Sequence, residues 1–204
     1  LPCMDNDKVR RGKPSTHIKF GESTAVLAGN SLLTLAFEMI SDQKYSISLK
    51  SKIELISSLA RCSGHTGIAG GQELDLSFEK KKKRFSQIIE MQKKKTGKLF
   101  NFCCFAVGAV AQKSEKEKNR LKQMGEEIGL LFQLADDFLD IKGSQKKIGK
   151  PTKKDSKKGK STLISLMGYK NAYNYAKNLK NNILRKLRKH GKKAEDLNET
   201  INFI

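Results

Sequence analysis

The sequence has no tryptophan and only three prolines among its 204 residues. Scarce proline combined with abundant Leu, Ile, Lys and Glu favours a mostly helical protein. No run of about 18 consecutive apolar residues is present, so we predict no membrane-spanning segment and no stable membrane insertion. No secretory leader is visible either, and we expect a cytoplasmic protein.

The spacing of the cysteines argues against two common roles. The four cysteines are Cys3, Cys62, Cys103 and Cys104, and none belongs to a C-x-x-C pair. The adjacent Cys103 and Cys104 would point about 100° apart on a helix. We therefore expect reduced, buried thiols rather than a disulfide framework or a zinc site.

Positive charge is in large excess, with a formal net charge of +20. Such an excess is typical of proteins that bind nucleic acid, anionic lipid or a phosphorylated substrate. Only seven of the 41 basic residues are arginine, the better side chain for bidentate recognition of bases and phosphates. We interpret the lysine run at 80–83 as solvated surface and predict no nucleic-acid partner. A basic protein that binds nucleic acid or a membrane surface remains the alternative.

Helical patterns run through almost the whole chain, with no strand alternation and no internal repeat. The stretch STAVLAGNSLLTLAFEMI is apolar around nearly its full circumference, which predicts a buried helix. The amphipathic stretch KSKIELISSLARCSG should end at Gly64. Two longer helical stretches follow, then a loop of Lys, Gly and Pro at 142–160, and a further helix from about Thr162. The pattern predicts a single all-α domain over 1–204.

Four glycines interrupt the region between the second and third helical stretches: Gly64, Gly67, Gly70 and Gly71. We expect them to serve helix distortion and close packing rather than a phosphate cradle.

Three acids lie near the end of an otherwise apolar helix, in the stretch QLADDFLD. Asp136 and Asp140 are one turn apart and share a face, and Gln133 lies one turn earlier on that side. At roughly 4–6 Å in a partly buried setting the two carboxylates repel by an amount on the order of several kcal/mol, unless a cation lies between them. Mg²⁺ is the fitting cation, because it takes one or two carboxylates, several waters and a substrate phosphate. The alternative is a solvated acidic helix end.

Lysines follow the acids directly. The stretch IGKPTKKDSKKGKST places Lys150, Asp155 and Lys160 in a loop that contains glycine. Acids that hold a metal beside lysines that hold an anion predict a pocket for a polyphosphate.

These motifs resemble those of the trans-polyprenyl diphosphate synthases. QLADDFLD is similar to the family's second aspartate-rich motif, Q-x-x-D-D-x-x-D, and the lysine stretch is similar to the loop that follows it. The opening LPCMDNDKVRRGKPSTH resembles the end of the first motif with its R-R-G-x-P-T sequence. Three further stretches match in the expected order: KFGESTAVLAGNSLLTLAFE, GGQELDL and KTGKLF. The resemblance covers the whole chain and is strongest to short-chain bacterial enzymes that make farnesyl or geranylgeranyl diphosphate.

The resemblance implies an all-α, isoprenoid-synthase-type helical bundle around a central cavity, assembled as a homodimer. In the family an Asp-Asp pair would precede Leu1, so Asp5 matches the third carboxylate of the first motif. We therefore expect a fragment that lacks the N-terminal helices and half of that motif, and that is inactive alone or nearly so.

The resemblance also assigns roles to residues. Metal ligands would be Asp5, Asp136 and Asp140. Substrate-binding residues would be Arg10, Arg11, Lys95, Thr96, Gln133, Lys150 and Lys160, with Lys95, Lys160 and Asp136 taking part in catalysis. Supporting residues behind them would be Gln72, Asp75, Asp137 and Asp155.

The implied reaction is the head-to-tail condensation of isopentenyl diphosphate with an allylic diphosphate. It would use three Mg²⁺ ions, with Mn²⁺ as an alternative, and release diphosphate. One other class is a catalytically silent family member or subunit, which the intact second motif, lysine loop and arginine pair argue against. A terpene cyclase would share the fold, but the R-R-G-x-P and K-T-G stretches fit chain elongation better.

Overall fold

The structure is a computed structural model that describes residues 3–142 and 161–204. The first seven helices are α1 (Thr16–Phe20), α2 (Glu22–Ser41), α3 (Leu49–Ser63), α4 (Ile68–Ser77), α5 (Phe85–Gln92), α6 (Lys98–Val110) and α7 (Glu115–Lys142). Three more follow the gap: α8 (Leu163–Met167), α9 (Tyr169–Arg188) and α10 (Glu195–Phe203). The predicted all-α class is confirmed.

Two short turns adjoin the α-helices and have other helical geometries. A π-helical turn, Lys93–Gly97, joins α5 to α6, and a 3₁₀ turn, Gly191–Ala194, precedes α10. Single π-turns inside α-helices are frequent at functional sites, because the extra residue redirects the side chains around it.

A small hairpin before α1 was not predicted. Strands β1 (Val9–Arg10) and β2 (Lys13–Pro14) pair antiparallel across a two-residue turn of Arg11 and Gly12. Both turn residues have positive φ, 52° and 73°, as a type I′ hairpin requires. Strands of two residues carry too little alternation to be read from sequence.

The helix α3 follows its sequence signals closely. The Ser48 side chain accepts a hydrogen bond from the Ser51 backbone N–H at 3.2 Å and so caps the first turn. The helix ends before Gly64, as predicted, and Leu55 and Leu59 on its apolar face are buried.

The helices α6 and α7 make the longest contact between any two described elements. Glycines on α7 permit it, because a Cβ on Gly125 would lie 2.4 Å from the Phe100 carbonyl oxygen. A Cβ on Gly129 would lie 2.7 Å from Gly97 Cα. The helix axes can therefore approach more closely than side chains would otherwise allow.

Three buried apolar clusters surround this helix pair. One joins α3 to α6 through Leu55, Phe105 and Ala109. A second joins α5, α7 and α8 through Ile88, Leu130, Leu134 and Leu163. The third joins α7 to α9 and α10 through Ile128, Leu131, Ile183, Leu187, Ala194 and Ile201. All three clusters hold α6 or α7, so this pair is the centre of the core.

The helix α2 differs from its expectation, because none of its 20 residues is buried. It contacts α1 and α3 and leaves large apolar side chains uncovered, with Leu27 64% and Leu32 67% exposed. Among the described residues it is the one helix long and apolar enough to cross a membrane, with a mean hydropathy of 1.3. Length and composition alone do not make it a membrane span, since buried or interface helices have the same properties.

The thiols are free, as predicted, but burial applies to only one of them. Cys62 is buried, Cys3 and Cys104 are half-buried, and Cys103 is exposed on α6. Burial raises the pKa of the Cys62 and Cys104 thiols, which keeps them protonated at neutral pH.

The packing of α7 yields a matched stability prediction. Leu134 is fully buried among Ile88, Leu130 and Leu163, whereas Leu139 on the same helix is 50% exposed. We expect Leu134→Ala to lower the free energy of unfolding by about 3 kcal/mol, because it leaves a cavity. Leu139→Ala should change it by about 0.5 kcal/mol or less. Urea denaturation of both variants measures this, and equal losses would contradict the assigned packing of α7.

Candidate active site

The three acids near the end of α7 have different surroundings. Asp137 and Asp140 are buried and Asp136 is half-buried. Asp137 accepts hydrogen bonds from two side-chain amides, Gln92 Nε2 at 3.1 Å and Gln133 Nε2 at 2.8 Å. Asp137 is therefore held by one amide from α5 and by one from its own helix.

Lys95 and Thr96 lie on the π-turn and reach two different helices. The Lys95 ammonium donates to Asp75 Oδ2 on α4 at 2.6 Å. The Thr96 hydroxyl donates to Gln133 Oε1 on α7 at 2.9 Å. Because Gln133 also donates to Asp137, a continuous hydrogen-bonded path links Thr96 to one of the acids of α7.

The side chain that the sequence analysis missed is Gln92, the last residue of α5. It is 3% exposed and donates to Asp137 across 45 residues of sequence. A single buried glutamine inside a lysine-rich stretch has no sequence signature, since its role depends on which helix packs against α5.

Gln72 is the remaining predicted supporting residue on α4. It is 4% exposed, and within the described parts of the chain its side-chain nitrogen has no hydrogen-bond partner. A buried amide donor needs an acceptor, so a water or ligand oxygen is expected beside it.

The acids fit Mg²⁺ by their chemistry and number. Residues 3–142 and 161–204 contain no group of three or more His, Cys, Asp or Glu side chains placed to hold a metal ion. Asp5 is therefore not gathered with Asp136 and Asp140 into one cluster. Two carboxylates one turn apart nevertheless suit Mg²⁺, which takes the rest of its octahedral shell from waters and phosphate oxygens.

The predicted arginines lie on the N-terminal hairpin, and both are exposed. Arg10 is paired with Lys13 in the strand register, and Arg11 adopts φ 52° in the turn. That conformation suits glycine or asparagine better than arginine and costs on the order of 1 kcal/mol or more. Asp5 lies half-buried just before this hairpin.

Three predicted site residues, Lys150, Asp155 and Lys160, lie outside the described residues.

A polar cleft of about 510 Å³ lies between α3, α6 and α7, and neither Lys95 nor Asp136 lines it. Two of its three lysines are paired with acids: Lys118 contacts Glu54 at 2.7 Å, and Lys98 contacts Glu126 at 2.7 Å. Paired cations attract an anion only weakly, so these two lysines add little to phosphate binding in this cleft.

The fold and the site define an all-α protein in which α7 carboxylates lie beside a lysine and a threonine on a facing π-turn. The chain belongs to the polyprenyl synthetase family, whose family model matches residues 3–202. This confirms the resemblance seen in the motifs.

Named relatives agree with this membership. The chain is 39% identical over 173 residues to farnesyl diphosphate synthase of Bacillus subtilis, covering 84% of this chain and 58% of that protein. It is 40% identical over 182 residues to farnesyl diphosphate synthase of Escherichia coli, covering 88% of this chain and 60% of that protein. The chain thus spans about three-fifths of the length of these relatives.

Solved structures match over essentially the whole chain. An FPP/GFPP synthase from Zymomonas mobilis matches with a TM-score of 0.87 and 36% identity, covering 100% of this chain and 68% of that one. A geranyltransferase from Helicobacter pylori, complexed with magnesium and isoprenyl diphosphate, matches with a TM-score of 0.85 and 33% identity. That match covers 99% of this chain and 66% of the other.

The contrast between neighbouring acids can be tested by stability. Asp137→Ala should lower the free energy of unfolding by roughly 2–3 kcal/mol, because the buried Gln92 amide and the half-buried Gln133 amide lose their acceptor. Asp136→Ala should leave it within about 0.5 kcal/mol of the parent or raise it slightly, because like-charge repulsion is relieved. Denaturant titration without Mg²⁺ measures both, and an equal effect of the two substitutions would show that Asp137 is not specially held.

Proposed function

We propose that the protein containing this chain is a Mg²⁺-dependent polyprenyl diphosphate synthase. It would join isopentenyl diphosphate head-to-tail to an allylic diphosphate, giving farnesyl or geranylgeranyl diphosphate and releasing diphosphate. The observation that carries the proposal is the hydrogen-bonded path from Thr96, on the π-turn, through Gln133 to Asp137 on α7. Lys95 precedes Thr96 on the same turn. The family membership and the relatives named farnesyl diphosphate synthase support it.

The proposed metal ligands are Asp136 and Asp140 on α7 and Asp5 near the hairpin. We propose three Mg²⁺ ions, with Mn²⁺ as a substitute, and the magnesium-bound geranyltransferase relative supports the choice of metal. Bound Mg²⁺ would neutralise the negative charge that develops on the leaving diphosphate. The α7 carboxylates would hold it from a rigid helix, which limits their movement during the reaction.

Cationic side chains of this chain would bind the leaving diphosphate together with the metal. Lys95 would donate to phosphate oxygens from the π-turn, and Arg10 would grip the same allylic diphosphate from the hairpin. We assign Arg11 to the diphosphate of isopentenyl diphosphate. Donors fixed before reaction stabilise charge as it forms without further reorganisation.

Thr96 would reach the allylic diphosphate together with Lys95, and Gln133 would lie beside the substrate rather than on the metal. Their mutual hydrogen bond at 2.9 Å fixes two uncharged dipoles next to Lys95. Lys150 and Lys160 join the diphosphate cations in this proposal on the strength of the G-K and K-x-T sequence matches, with Asp155 orienting their loop.

We further propose that the protein is a homodimer that covers α2. Its exposed side chains include Val26, Leu27, Leu32, Leu33, Leu35 and Met39. A contiguous apolar surface of this kind on a soluble protein marks an interaction face, and self-association by a two-fold axis is the commonest solution. Glu22, Asn30 and Glu38 along the same helix disfavour burial in lipid.

The catalytic assignment is tested in the full gene product with geranyl diphosphate and radiolabelled isopentenyl diphosphate. Asp136→Ala should lower kcat by roughly 10²–10³-fold at saturating Mg²⁺, because the metal stabilises the transition state more than the ground state. Asp140→Ala should have a milder effect. Glu127→Ala is the control, since that acid lies on α7 but pairs with Lys186. Near-parental kcat for Asp136→Ala would exclude the α7 acids from the reaction.

The dimer is tested by light scattering of the full gene product at micromolar concentration. Leu32→Glu should shift the mass from dimer to monomer, because it places a charge in the apolar α2 face. Phe203→Glu is the matched control, since Phe203 is 94% exposed on α10, away from α2. A monomeric parent, or a parent that floats with neutral lipid vesicles, would contradict the proposed interface.

A further inference from the structure

The helix α4 touches Lys95 at two points on one face. Gly71 and Asp75 are four residues apart on α4, so they project on the same side. A Cβ on Gly71 would lie 2.2 Å from the Lys95 backbone nitrogen and 2.5 Å from its Cα. One turn later, Asp75 Oδ2 accepts a hydrogen bond from the Lys95 ammonium at 2.6 Å. The first contact fixes the backbone of Lys95 and the second fixes its side chain.

The π-turn that carries Lys95 is also held from the opposite side. A Cβ on Gly129 of α7 would lie 2.7 Å from Gly97 Cα. The turn is thus packed backbone to backbone between α4 and α7, which leaves it little room to slide or rotate. Because α4 contacts the backbone of Lys95, a substitution on this face of α4 should displace Lys95.

We propose that Gly71 and Asp75 are positioning residues for Lys95, an inference that rests on the proposed function. An ammonium has three N–H donors. Asp75 takes one of them and so fixes the direction of the other two, which remain for a diphosphate. Gly71 sets how far the lysine backbone stands from α4, and hence how far its side chain reaches. Both residues act on the reaction through Lys95 and not by touching the substrate.

A purely structural ion pair would respond differently to substitution, and the pair between α6 and α7 offers one for comparison. Lys98 contacts Glu126 on α7 at 2.7 Å, with side chains 30% and 22% exposed. The Lys95–Asp75 pair has a similar distance and a more buried carboxylate, with side chains 23% and 8% exposed. Glu126→Gln is therefore the matched control for Asp75→Asn.

The kinetic test uses the full gene product. Asp75→Asn should lower kcat by roughly 10- to 100-fold, as a misplaced catalytic group does. KM for the allylic diphosphate should stay level or fall, because removal of a negative charge favours an anionic substrate. Lys95→Met should lower kcat at least as much. The double variant should match Lys95→Met alone, because Asp75 has no lysine left to position.

Gly71→Ala provides the second arm, with Gly108→Ala on α6 as its control. A Cβ on Gly108 would meet flexible side chains, Leu121 Cδ1 at 2.8 Å and Lys118 Cγ at 3.2 Å, which can move. Gly71→Ala should lower kcat more than Gly108→Ala does at equal thermal stability. Multiplicative losses of kcat in the Asp75 and Lys95 double variant would overturn the inference, as would a loss for Glu126→Gln equal to that for Asp75→Asn.

A readout that does not depend on activity separates this inference from the proposed function. The full gene product is treated with N-hydroxysuccinimidyl acetate, and acetylation of each lysine is followed by mass spectrometry. Asp75→Asn should raise the rate at Lys95 several-fold and leave Lys98 unchanged, whereas Glu126→Gln should do the reverse. An unchanged Lys95 rate in Asp75→Asn would overturn the inference. The expected acetylation shift in a gene product that forms no prenyl product would instead overturn the proposed function.

Discussion

The close approach of α6 to α7 is the contact on which the rest of this structure depends. It is possible only because Gly125 and Gly129 present no side chain to the Phe100 carbonyl and to Gly97. Every buried cluster contains a residue from one of these two helices. The same contact brings the π-turn beside the acidic end of α7, so the packing that stabilises the core also assembles the candidate site.

Within the site, residues that are adjacent in the sequence have different surroundings, because their side chains face different neighbours. Asp137 is bound by two amides, one of them from α5, while Asp136 beside it is half-buried on another face of α7. Lys95 and Thr96 are similarly divided, one reaching α4 and the other α7. This division follows from the roughly 100° rotation between successive helical residues, which sends adjacent side chains to different neighbours.

The exposed apolar surface of α2 is the part of the single chain whose contact with water is least favourable. A helix with a mean hydropathy of 1.3 and no buried residue exposes area that favours association, at roughly 25 cal/mol for each Å² removed from water. The large positive charge acts in the other direction, since like charges oppose contact between copies. Association through α2 would place the contact where the helix carries no lysine or arginine.

The sequence by itself determined the all-α class, the end of α3 before Gly64 and the pairing of Asp136 with Asp140, because helical periodicity is a local property. Its motifs also indicated the family, because the spacing of acids and lysines can be recognised in the sequence without knowing how the helices pack. Only the tertiary structure decided that Gln92 supports Asp137, that α4 holds Lys95 at Gly71 and Asp75, and that α2 lies uncovered. Each of these depends on which helices meet and how closely. Which helices meet depends on side-chain volumes and on backbone contacts between residues tens of positions apart, and a local sequence pattern does not contain this information.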